Sequence, residues 1–222
     1  MRPLSPLEAR VLGVLVEKQS SVPDTYPLSL NALGAGCNQK TARSPVIEAT
    51  EAEVLTAIDD LKSLSLVFEG GGSRVVKFEH NTARVLHVPT QAVALLVVLM
   101  LRGPQTSAEL RLNCERLHRF ADISSVEGFL DELAGKTPAM VVKLARAGGE
   151  RESRWAQLLC GEVAQPPARA NDAGHPGHAS AADDSVSAGE LAALRAEMTR
   201  LADEMSALKD TVQRLQRELG VE

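Results

Sequence analysis

TEAEVLTAIDDLKSLSLVFEGGGSRVVKFEH, residues 50–80, changes its period in mid-course. Thr50 with Glu53 is the Ser/Thr-x-x-Glu pattern that caps a helix start. Val54, Ala57, Ile58 and Leu61 then fall on one helix face. From Leu66 the apolar residues instead flank a glycine run, which predicts strand, turn and strand. A helix feeding a β-hairpin is the closing part of a winged helix-turn-helix, so two further helices are expected before it.

The upstream residues supply them. Ser5, Pro6 and Glu8 make a capping box with proline at the first helical position. Leu7, Val11, Leu12, Leu15 and Val16 repeat at helical spacing, predicting a helix over 6–18. Residues 19–28 are a proline-punctuated loop. Ser29 caps a short second helix through Leu30, Leu33 and Cys37. Gly36 is expected to loosen its end. The run GAGCNQKTARSPV, residues 34–46, joins the second and third helices. Its polarity fits an active-site loop, a nucleic-acid contact or a turn.

Residues 90–160 repeat the plan. Thr90 is expected to cap a helix in which Leu96 and Met100 match Val11 and Leu15. Thr106 and Glu109 make another capping box, followed by Leu110 and Cys114 as Leu33 and Cys37 follow Ser29. Val126, Phe129, Leu130 and Leu133 reproduce the third-helix face, and MVVKLARAGGERESRWAQLL supplies a second hairpin. The fold class predicted is mainly α with small β-hairpins (α+β), as tandem winged helix-turn-helix domains over 1–88 and 89–160. Residues 161–186, rich in Ala, Pro, Gly and Asp, form a flexible linker. Over 187–222, Leu191, Leu194, Met198, Leu201, Met205, Leu208, Val212, Leu215 and Leu219 alternate steps of three and four. That is the a/d seam of a coiled coil, and it predicts a homodimer.

Composition narrows the function. One Trp, one Tyr and four Phe leave the cores to aliphatic residues. The start of the chain lacks the apolar run of a signal peptide, and the stretch from Ala92 to Leu101 is too short to span a bilayer. Three cysteines without CxxC spacing fit a reducing cytoplasm and no zinc site. The net charge of −5 comes from the tail, because residues 1–88 hold 9 basic against 10 acidic residues and residues 89–160 hold 9 against 8. Any nucleic-acid contact must therefore be local.

LSPLEARVLGVLVEKQ, YPLSLNALGAGCNQKTARSPV, GSRVVKFEH, RGPQTSAELRLNCERLHRFADISSVEGFLDELA and ERESRWAQLL resemble the YceH-like family of uncharacterised bacterial proteins over residues 4–162. The resemblance is most specific at residues 37–45. It implies two winged-helix domains followed by a variable, often helical tail, and it implies no activity.

Catalytic residues are not expected. Cys37 and Cys114 end equivalent helices, where the dipole disfavours a thiolate, and are expected to be core thiols. His80, His87, His118, His175 and His178 lack metal-ligand spacing within one ordered element. Phosphate-loop and serine-hydrolase motifs are missing, and no cofactor is expected. The third helices are acidic: Glu48, Glu51, Glu53, Asp59 and Asp60 stand against Lys62, and Glu127, Asp131 and Glu132 against Lys136. Base readout favours Arg, Lys, Asn and Gln instead. The cations cluster at the edges: Lys40, Arg43, Arg74 and Lys77 in the first half, Arg111, Arg116, Arg119, Arg146, Arg151 and Arg154 in the second. Two partners stay open. One is duplex DNA, gripped by phosphate through wings and interhelical loops. The other is a protein that docks on the acidic third helices.

Overall fold

A computed structural model of the chain describes residues 1–70, 75–146 and 152–163. These belong to one compact unit within Met1–Ala170. The linker beyond residue 163 and the entire heptad seam, Leu191 to Leu219, lie outside the described residues.

The structure is mainly helical with a few short antiparallel strands. Helix α1 (Pro6–Ser21) starts as its sequence dictates: Ser5 Oγ accepts from the Glu8 amide, and Glu8 accepts from the Ser5 amide at 2.7 Å. It runs three residues past the expected end at Lys18. After a 3-10 turn at Pro23–Thr25 come strand β1 (Leu28–Ser29) and helix α2 (Leu30–Cys37), capped by Ser29. Helix α3 (Glu51–Ser63) begins with the Thr50–Glu53 box, and β2 (Val67–Gly70) and β3 (Lys77–His80) form the hairpin. The sheet order is β1-β3-β2, with Leu28 opposite Phe78 and Val67 opposite His80. The sequence alone placed β1 in a loop. A strand of two residues is too short to show alternation.

A short helix α4 (Thr82–Leu86) leads to α5 (Thr90–Arg102). The N-cap of α5 is Pro89, and Thr90 is its first helical residue, with no side-chain cap. Helix α6 (Ser107–Asn113) carries the Thr106–Glu109 box, and α7 (Ile123–Ala134) is capped by Asp122. Strands β4 (Val141–Lys143) and β5 (Trp155–Gln157) pair antiparallel. Gln105 bridges Trp155 through two backbone hydrogen bonds of 3.0 and 2.7 Å, which places it where β1 stands in the first half.

The packing differs from a one-sided amphipathic reading. Every residue of α1 from Glu8 to Val16 is buried, and so is every residue of α5 from Ala92 to Leu101. The two helices pack against each other, so each is covered by its own half on one side and by the other half on the opposite side. Gly13 permits the approach, since a Cβ there would meet Leu101 Cδ2 at 2.9 Å. Gly36 does the same for α2: its Cβ would stand 2.5 Å from Val14 Cγ1. The missing side chain there permits the close packing of α2 on α1. Two backbone bonds add to the joint: the Ser44 amide donates to Leu101 at 2.8 Å, and the Leu4 amide donates to Leu159 at 2.8 Å.

Candidate nucleic-acid interface

The connection from α2 to α3 is held from within. Asn38 clamps Ala49, donating through Nδ2 to its carbonyl and accepting from its amide through Oδ1, both at 2.8 Å. Arg43 is buried. It makes a bidentate pair with Glu17 of α1, at 3.1 and 2.5 Å, and donates to the carbonyls of Gly36 and Ala42. Arg10 donates to the carbonyls of Cys37 at 3.0 Å and Pro45 at 2.6 Å. Ala42 sits at φ 58°, a left-handed conformation that costs a non-glycine residue on the order of 1 kcal/mol or more. The polar residues of 34–46 thus tie down a turn. Arg43 was a candidate phosphate contact on sequence grounds, and its burial takes it out of reach of a ligand at the surface.

The thiols are placed as expected. Cys37 and Cys114 are fully buried, and burial pushes their thiols up to about 11 and about 12. His80 ends β3, and its amide donates to Tyr26 Oη at 2.7 Å. Burial lowers the ring to about 4.

The remaining candidates separate by exposure. Lys40 is exposed and Lys77 is half-buried. In the second half Arg111, Arg116, Arg119 and Arg146 are all exposed. Arg111 donates to the Ala121 carbonyl at 3.0 Å, and Arg119, 85% exposed, lies 3.8 Å from Glu115. Arg154 bonds Glu109 at 2.9 Å and the Pro104 carbonyl at 3.3 Å, joining the second hairpin to the start of α6. Arg74 and Arg151 lie outside the described residues.

One grouping escaped the sequence. The last turns of α1 and α5 bring Lys18 and Arg102 to a cleft of about 380 Å³ that Arg116, Asn113 and the carboxylates Glu17 and Glu115 also line, with Lys18 3.9 Å from Glu17. Lys18 and Arg102 occupy near-equivalent places in the two repeats. That was the signal available, but nothing in the sequence reveals that the repeats stand side by side. The acidic helices behave as their composition suggests: Glu51, Asp59 and Asp60 of α3 are exposed, with Leu55 between them. Lys62 pairs with Asp59 at 3.3 Å and with Glu69, so the cation of that helix is engaged.

Among the described residues, no helix is long and apolar enough to cross a membrane. Residues 4–150 match a family model described as a protein of unknown function, DUF480. Similar proteins include a UPF0502 protein of Burkholderia orbicola (strain MC0-3) and one of Burkholderia pseudomallei (strain 668), each 62% identical over 222 residues. A UPF0502 protein of Burkholderia cenocepacia (strain HI2424) is 61% identical. In each case the match covers 100% of this chain and 92% of the relative.

Proposed function

Because the chain belongs to this family of unknown function, which is also the YceH-like family its motifs resemble, we propose a role from its own geometry: a non-enzymatic tandem winged-helix protein that associates with duplex DNA as a dimeric regulator. The observation that carries this reading is the exposed arginine turn between α6 and α7. Arg116 and Arg119 project there into solvent, beside the cleft that gathers Lys18 and Arg102. Phosphate contacts need reachable cations at an edge, and these are reachable. Lys40 and Arg146 extend the set. The winged-helix reading draws on the order α1-α2-α3-hairpin, followed by α5-α6-α7-hairpin. The seam from Leu191 to Leu219 supports a coiled-coil homodimer through its sequence pattern alone.

Salt dependence tests the reading. Binding to duplex, followed by fluorescence anisotropy, should weaken as salt rises, and Arg116→Ala with Arg119→Ala should flatten the log–log slope by about two. Affinity should fall to a similar degree for every sequence, because phosphate carries no base information. An absence of salt-sensitive binding at about 50 mM salt would end this reading.

The exposed face of α3 favours a second reading, a protein-interaction adaptor. It presents Glu51, Leu55 and Asp59, acidic with one apolar residue, where a groove-reading helix would carry donors. Glu51→Lys with Asp59→Lys separates the two. A DNA-associated protein gains affinity for duplex, whereas an adaptor loses its partner.

A further inference from the structure

Among the described residues of the first half, two arginines are buried, and one of them has a counter-charge. Arg43 is met by the Glu17 carboxylate. Arg10, on α1, is 3% exposed. Among the described residues its Nη1 and Nη2 donate to the carbonyls of Cys37 and Pro45, and its Nε meets no acceptor. The charged side chain that acts on it most is Arg43, of the same sign. A guanidinium taken out of water without an anion is electrostatically costly, and such groups are usually paired.

Arg10 also lines a cavity of about 470 Å³, bounded by α1, residues 44–49, the end of α5 and Cys160. Leu7, Pro45, Ile47, Leu99 and Met100 make much of its wall apolar. The volume is in the range of small-molecule sites, which combine apolar walls with a few placed polar groups. Two carboxylates also border it, Glu48 and Glu53. Both are exposed, and Glu53 is engaged at the start of α3 by the Thr50 amide and hydroxyl. They would repel a polyanion, which leaves a ligand with one negative group and an apolar body.

We propose that this cavity binds a small organic monoanion, an apolar body bearing one carboxylate, with Arg10 as its counter-charge. The carboxylate completes the pairing that Glu17 supplies to Arg43, and the apolar walls take the body. Since the cavity is built from both α1 and α5, the ligand occupies the joint between the two repeats.

The probes are 4-phenylbutyrate, 4-phenylbutanol and 4-phenylbutylamine, which share a body and differ in the head group. In calorimetric titration of the full chain near neutral pH, the carboxylate should bind at least about tenfold tighter than the alcohol, and the amine more weakly still. Arg10→Met should remove that preference. Because Arg10 also holds two carbonyls, Ala49→Leu serves as a companion that narrows the cavity and keeps the charge. Shown folded by circular dichroism, it should weaken the carboxylate by about tenfold or more. Equal affinity for carboxylate and alcohol would overturn the proposal, as would undiminished binding in the folded Ala49→Leu protein. So would a carboxylate titration without saturable heat up to about 10 mM.

Discussion

The connections α2–α3 and α6–α7 occupy the same place in two copies of one plan, yet they treat their cations in opposite ways. In the first, Arg43 is drawn inward by Glu17 and the α2 carbonyls. In the second, Arg116 and Arg119 stand in solvent. The difference arises on the neighbouring helix. Helix α1 offers a half-buried carboxylate at Glu17, while Arg102 sits at the near-equivalent place on α5 and repels a cation. An interhelical arginine is therefore a structural tie or a surface charge according to what the adjacent helix end presents.

Removing the tie should give the largest effect. Arg43→Ala leaves Glu17 and the Gly36 carbonyl without their buried partner, and about 3 kcal/mol or more of stability should be lost. Arg116→Ala should stay within about 0.5 kcal/mol of the parent. Urea denaturation compares the two, and equal losses would dissolve the contrast between the connections. Next comes the closeness of α2 to α1. Gly36→Ala forces a methyl to 2.5 Å from Val14 and should lower stability by about 1–3 kcal/mol. Gly34→Ala, two residues earlier with nothing within 4 Å, should raise it by up to about 1 kcal/mol. Melting temperatures that shift in the same direction would contradict the packing.

A pH-dependent effect concerns the hairpins. His80 ends β3 as Gln157 ends β5, and only the first titrates. Burial holds His80 at about 4 against an ordinary 6.5, so between these values the unfolded chain takes up a proton that the folded chain refuses. This stability is present above pH 6.5, is lost as pH falls, and levels off below about 4, a change of about 1–3 kcal/mol. His80→Gln should flatten urea midpoints measured across that window. A slope as steep as the parent's would assign the acid sensitivity to another group.

Much of this architecture was legible in the sequence because it is local. The capping boxes at Ser5, Thr50 and Thr106 fix helix starts within four residues, and each is formed. The hairpins followed from a change of period. What stayed hidden was non-local. The apolar stripe of α1 said which residues face a core, but not that a second helix covers the other side. Glu8 and Arg10, charged and buried, gave no sign of it. Arg43 had the composition of a surface contact, and only the placement of Glu17, 26 residues away, makes it internal. Residues 34–46 resisted for the same reason: their partners come from α1, Ala49 and Leu101.

The bond from the Leu4 amide to the Leu159 carbonyl carries an entropic cost. It joins nearly the first described residue to nearly the last, and the entropy of closing so long a loop must be met by contacts already made. Residues within a single capping box are neighbours in sequence, whereas Leu4 meets Leu159 in a fold where α1 and α5 are stacked. The bond therefore draws its stability from the packing of α1 against α5 and is expected to open when that packing opens.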